Sequence, residues 1–204
     1  RQLVGGEPTA ILLEAALGSV VAGLPWRKSM RWGSRDERFV LPLQWMVALP
    51  GGHQLRVQFA GVVLGNLSQG HRFFGDGLFP VWSLHTLQEG LAARSVVLDP
   101  AERRQLIIDQ LTEESARLGG VLVEDEALLD EVVGLVEVPR AVSGAFDERF
   151  LSLPREVVET VLTYHQKMFA VASAEGGLLA HFIGVSGNPI AEQPNTRSGY
   201  ERVV

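Results

Sequence analysis

Met168-Phe169-Ala170-Val171-Ala172-Ser173-Ala174-Glu175-Gly176-Gly177-Leu178-Leu179-Ala180-His181-Phe182-Ile183-Gly184-Val185 says more about the architecture than any other run in the chain. Two apolar segments, Met168 to Ala172 and Leu178 to Val185, flank Glu175-Gly176-Gly177, so the spacing predicts a β-hairpin. Upstream, Pro154 opens a helix that the pattern carries to about His165. Val136 to Val142 reads as a strand broken at Pro139, hence an edge or a bulge. Asp99-Pro100 starts a helix running to Leu118, and Asp125 caps another over Glu126 to Val133. Ser83 is the expected cap of a short helix to Leu91, with Val96 to Leu98 as a candidate strand after it. Nearer the start, Thr9 to Gly23 has a helical period ended by Gly23 and Pro25. Phe39 to Leu49 and His53 to Phe59 read as two strands joined by Pro50-Gly51-Gly52, and Gly61 to Leu64 as a further short one. Strands in adjacent pairs with helices interspersed indicate an α+β fold with a mainly antiparallel sheet and packed helices. We expect residues 1–186 to form that domain, with 99–135 as a candidate small helical lobe. Residues 187–204, with Pro189, Pro194, Asn195 and Ser198, read as a loop or linker.

The totals narrow the function classes. A chain of 204 residues with 46% hydrophobic and 21% charged content is ordinary globular protein. Folding a chain of this length buries roughly 70% of the surface it exposes when unfolded, so no covalent staple is required. There is no cysteine, which removes disulfides, thiolate metal sites and cysteine nucleophiles. No apolar run reaches the roughly 18 residues of a spanning helix, so no membrane role is expected. Arg1 in place of Met and the unpunctuated end Glu201-Arg202-Val203-Val204 point to an internal piece of a longer polypeptide. Net charge is -6, but residues 1–72 hold eight Arg or Lys against four acids, while 99–137 hold eleven acids against three Arg. By charge alone one region would attract an anion and the other repel it. The plainer reading of the acidic run, and the favoured one, is the solvated face of helices.

Catalytic signatures were sought by chemistry. No Gly-rich Lys-Ser/Thr loop and no Gly-x-Ser-x-Gly elbow occurs. The histidines at 53, 71, 85, 165 and 181 form no known metal-ligand spacing, so no metal is expected. Carboxylate pairs such as Glu113-Glu114 fall on solvated helix faces. What stands out is cation beside aromatic in three places: Trp26-Arg27-Lys28-Ser29-Met30-Arg31-Trp32-Gly33, Gly70-His71-Arg72-Phe73-Phe74-Gly75, and Tyr164-His165-Gln166-Lys167-Met168-Phe169. Such pairs hold nucleotides by stacking and charge, or lie over a core as amphipathic stems with their heads in water. Trp26 and Trp32 lean to core packing, and His71 to a structural role. Arg31 and Arg72 are evenly poised between phosphate recognition and internal ion pairing.

In this order and spacing, the segments resemble the β chain of the heterotetrameric, bacterial-type glycyl-tRNA synthetases. The residues that carry the likeness are Lys28-Ser29-Met30-Arg31-Trp32-Gly33, Phe39, Pro42, Gly70-His71-Arg72-Phe73, Gly75, Phe79, Leu128-Leu129, Glu131-Val132 and Leu135-Val136-Glu137. Phe150-Leu151, Leu153-Pro154, Gln166-Lys167, Phe169, Phe182-Ile183 and Asn188 continue it, so it spans nearly the whole chain. Leu41 stands where the family usually has Arg, Leu162 where Met is common, and Met168 where Tyr is usual. Met168 is therefore expected to pack inward.

The resemblance implies a glycine–tRNA ligase in which the α subunit activates glycine with ATP and Mg²⁺. The β chain binds tRNA and supports an α2β2 assembly in the cytoplasm. It also implies a fold similar to the tRNA-binding, editing-related domain of the phenylalanyl-tRNA synthetase β chain. On this basis the segment is expected to be a non-catalytic tRNA-binding or scaffold domain with no catalytic residue and no cofactor of its own. Its partners would be glycine tRNA and the α subunit, not DNA and not a membrane. The candidate tRNA contacts are Lys28, Arg31, Arg35, His71, Arg72 and Lys167. Editing-type hydrolysis of mischarged tRNA and a purely structural assembly role are the alternatives.

Overall fold

The computed structural model describes residues 5–188 and 193–204. It divides into two units, Arg1–Gly70 with Asp76–Gly90 and His71–Gly75 with Leu91–Val204.

The first unit begins with helix α1 (Thr9–Ala22), closed at Gly23 as expected. One side of it, Ala10, Leu13 and Leu17, packs against the buried cluster Leu55, Val57 and Leu64, while Ile11, Leu12 and Val20 stay exposed. Two strands expected here differ from what forms. Of Phe39 to Leu49 only β1 (Met46–Val47) is a strand, and of His53 to Phe59 only β2 (Gln58–Phe59). Pro50–Gly52 is a 3-10 turn and does not close a hairpin between them. Instead β2 pairs antiparallel with β3 (Val62–Gly65), and β1 lies parallel on the other side of β3. The hairpin turn is Ala60-Gly61, both at positive φ (47° and 77°), which is the backbone that a two-residue turn needs to match strand twist. Two further strands, β4 (Leu67–Gln69) and β5 (Leu78–Pro80), form a separate antiparallel pair. α2 (Leu84–Ala92) follows, with Ser83 Oγ accepting the Thr86 N–H as its cap, and carries the chain towards the second unit.

The second unit is built on one antiparallel sheet in the order β6-β8-β9-β7. α3 (Pro100–Arg117) is capped by Asp99, and α4 (Glu126–Val133) by Asp125, each carboxylate accepting a first-turn N–H. Between them lies β6 (Val121–Leu122); β7 (Arg140–Ala145), an edge strand, pairs with β9 (Leu178–Ser186), which pairs in turn with β8 (Met168–Ala172). α5 (Arg155–Thr160) runs into a π-helical turn, Val161–His165. All five residues of β8 are buried because both faces are covered. Phe169, Val171 and Ile183 meet Ile107, Leu111 and Leu128 from α3 and α4 on one face. Met168, Ala170 and Phe182 meet Val158 and Leu162 on the other, so Met168 does point inward.

Three expectations are corrected. The helices of 99–135 are not a separate lobe, since their apolar sides make up half of the sheet's core. The tail is not simply a loop: α6 (Gln193–Glu201) forms and packs beside β7, with the Tyr200 ring seated on Gly184, where any Cβ would collide with it. Pro194 fits because it sits in the helix's first turn, while Pro189 falls outside the described residues. Val96 to Leu98 is not a strand. Arg103 holds that segment by donating to the carbonyls of Val97, Leu98 and Val133.

Two outcomes follow from this packing. Phe182, fully buried between Gly144 and the α5 side, has no way to collapse its space, so Phe182→Ala should cost about 3–5 kcal/mol by denaturant titration. Where α3 faces β7, the hydrogen bond from Arg117 holds the Glu114 carboxyl below its ordinary value of 4.5; burial opposes this, and Ser143 adds to it. A depressed carboxylate contributes stability above its unfolded pKa and loses it as pH falls through the folded one. Glu114→Gln should therefore destabilise at neutral pH, and the gap from wild type should close in acid below 4.5.

Candidate nucleic-acid interface

The first cation-aromatic stretch is shaped by a short closed pair. Met30 and Phe39 exchange both backbone hydrogen bonds, at 2.8 and 3.1 Å, which pinches off a loop over residues 31–38. Gly33, at φ 61°, lets the loop reverse. Arg38 ties its base by donating to Ser29 Oγ (3.1 Å) and to the Ser29 carbonyl (2.7 Å). The rings anchor it from below: Trp26 meets Phe39 edge-on at 4.8 Å, and Phe39 meets the buried Phe59 at 6.4 Å. Trp26 is thus partly a packing residue, as weighted, although much of the indole still faces water.

With the base tied down, the cations point outward. Arg27, Lys28 and Arg35 are exposed and make no ion pair among the described residues. Arg31 pairs with Asp36 at 3.2 Å, both side chains being largely in solvent (59% and 101% exposed). An exposed pair of this kind contributes about 0–1 kcal/mol, so a phosphate can displace the carboxylate. The Arg35 guanidinium stands directly on Gly61 in the β2–β3 turn, where a Cβ would collide with it. Arg31 and Arg35 within the loop, and Lys28 just before its Met30 end, therefore lie on one braced, outward-facing segment of the first unit.

The remaining candidates lie in the second unit and fare differently. Arg72 is exposed, 6.0 Å from the Phe73 ring, which is itself 65% exposed. His71 is turned inward, a correction to its place among the contacts. It is 7% exposed, its N–H binds the Arg94 carbonyl at 2.9 Å, its Nδ1 accepts the Phe73 N–H at 3.2 Å, and its ring lies 4.6 Å from Phe74. Lys167 is also engaged: Nζ reaches Glu131 at 2.8 Å and lies 5.3 Å from the Tyr164 ring. Its backbone is at φ 57°, strained for a lysine and held there between the π-helical turn and β8. Arg38, inside the loop, and Arg27, just before it, were not among the candidate contacts. The signal for Arg38 was only its nine-residue separation from Ser29 across the Gly33 reversal.

Charge divides along the same boundary. The first unit carries seven Arg or Lys against six acids, the second eleven against eighteen. The basic excess of residues 1–72 shrinks in the folded unit because Asp76 and Glu89 join it and Arg72 does not. In the second unit Arg104 is spent on Glu126 and Asp130. Among the described residues no group of three or more His, Asp or Glu is placed to hold a metal ion, and no helix is long and apolar enough to cross a membrane.

Known proteins are similar to this sequence. A family model described as glycyl-tRNA synthetase beta subunit matches residues 1–204. The glycine–tRNA ligase beta subunit of Syntrophotalea carbinolica is 41% identical over 203 residues, covering 100% of this chain and 30% of that protein. Those of Myxococcus xanthus and Moorella thermoacetica are 37% and 39% identical, each over 98% of this chain and 28% and 29% of theirs. The chain thus spans under a third of the length of these curated relatives. On a match that runs from end to end, the chain belongs to the glycyl-tRNA synthetase beta subunit family.

Proposed function

We propose that this chain is a tRNA-binding segment of a glycine–tRNA ligase β subunit, which supports ATP- and Mg²⁺-dependent glycylation carried out at the α subunit. It works in a cytoplasmic α2β2 assembly and holds no reaction centre of its own. The observation that carries the reading is the braced segment over residues 27–38, loop and approach together, with Lys28 and Arg35 exposed and without a carboxylate partner among the described residues. A guanidinium fork matches phosphate geometry, and a fixed base keeps the cost of ordering it low. Arg31, in its weak exposed pair, and Arg72, beside the exposed Phe73 ring, complete the set. The acidic second unit would repel a polyanion over most of its surface, so contact is concentrated on these positions. A kinship of the α+β body with the editing-related domain of the phenylalanyl-tRNA synthetase β chain belongs to the same proposal.

The test uses the assembled ligase and a glycine tRNA transcript. Lys28→Ala, Arg31→Ala, Arg35→Ala and Arg72→Ala should each weaken tRNA binding and lower the salt slope of the affinity by about one unit. Lys167→Ala should have the smaller effect on both, since its ammonium is held by Glu131 and the Tyr164 ring. Glycine-dependent ATP–pyrophosphate exchange should be untouched in all of them, because the chemistry lies on the other subunit. Unchanged tRNA affinity and salt slope in all four folded variants would overturn the proposal.

A further inference from the structure

The first unit holds an open groove of about 620 Å³, beside β1 and between β3 and the β4–β5 pair. Its size falls within the roughly 300–1,000 Å³ of small-ligand clefts. Its lining combines an indole and three carboxamides: Trp45 (38% exposed), Gln44, Asn66 and Gln69. Val63, Leu67 and Leu78, 64%, 43% and 56% exposed, add an apolar surface, and among the described residues no charged side chain lines the groove. Gly61 is part of the lining, and the Arg35 guanidinium, without an ion pair among the described residues, lies on that glycine.

We infer that this groove takes an unpaired nucleotide of an RNA strand, with its base against Trp45, its edge on the carboxamides and its phosphate on Arg35. The inference rests on the tRNA-binding reading above and names the kind of RNA element bound. Each carboxamide presents a donor and an acceptor side by side, the pattern that base edges complement. An indole face gives sequence-tolerant stacking, and splayed single-stranded bases are what proteins read in RNA. A basic peptide would find no carboxylate in this lining, and an acidic one only Arg35. The groups are also held in place. Asn66 and Gln69 lie at or beside the ends of β4, and the Asn66 carbonyl accepts the Val81 N–H at 2.7 Å. Gln44 and Trp45 immediately precede β1, which is locked to β3 at Met46 and Val47.

The experiment again uses the intact ligase with both subunits. Trp45→Ala should weaken binding of a glycine tRNA transcript roughly 5- to 150-fold, the range of one lost base–aromatic stack. Trp45→Phe should restore most of the loss, because a phenyl ring still stacks. An oligomer of unpaired adenosines should compete for the wild-type site and lose that competition in Trp45→Ala, while a blunt RNA duplex should compete equally with both. Trp45→Ala affinity indistinguishable from wild type would overturn the inference. So would separation of the subunits by Trp45→Ala at unchanged RNA affinity, which would make the groove a protein interface. Loss in the Lys28 and Arg31 variants without loss at Trp45 discards the groove and keeps the proposed function; no loss in either series discards both.

Discussion

Burial of β8 and β9 on both faces is the constraint from which the second unit follows. A strand covered on one side alternates polar and apolar residues, and one covered on both cannot. Met168-Phe169-Ala170-Val171-Ala172 has no polar position, so it demands a helical layer above and another below. α3 and α4 supply the first, and α5 with its π-helical turn the second. The constraint reaches single atoms: Gly144 leaves room for the Phe182 ring, and Gly184 for the Tyr200 ring that docks α6. The bulge between Ala170 and Ala172 and the positive φ of Lys167 are local distortions at the strand's two ends, held by a core packed on all sides.

How much of this was legible depends on how local each cause is. The β8–β9 hairpin, the caps at Ser83, Asp99 and Asp125, and the stop at Gly23 each rest on a side chain and backbone a few residues apart, and all are present. The first unit's sheet was misread because its causes are distant. β1 pairs parallel with β3, and its short length between Pro42 and Pro50 is set by that partner, not by the β-branched residues around it. Its true hairpin turns on Ala60-Gly61, which lacks the Asn or Asp that usually announces positive φ. α6 was hidden for a similar reason. Its polar sequence shows little helical preference, and Tyr200 packing on Gly184 supplies what propensity does not.

The candidate contacts show the same division. Residue type and spacing marked six positions correctly as cationic or ionisable, yet exposure is a tertiary property. Lys167 and Glu131 are 36 residues apart in the chain, and only the fold brings them to 2.8 Å. His71 is drawn inward by the Arg94 carbonyl and the Phe74 ring. Lys28, Arg31 and Arg35 stay outside because the loop's inward needs are met by others: Arg38 serves the Ser29 carbonyl, and Trp26 and Phe39 serve the core.

The two units also differ in how much surface their cores leave over. In the second, both sheet faces are consumed by packing, so a polyanion meets acidic helix exteriors and a few loop cations such as Arg72. In the first, a small cluster of Leu55, Val57 and Leu64 supports short strands, and Val63, Leu67, Leu78 and Trp45 remain exposed. Exposed apolar and aromatic surface in a sparsely packed unit costs stability, and regions that bind tend to come from the less stable end of a structure. A ligand that binds the folded form alone returns that stability by mass action. On the proposed reading, placing net acid on the second unit and exposed cations beside indole on the first separates two tasks, and the first would gain stability from the RNA that it binds.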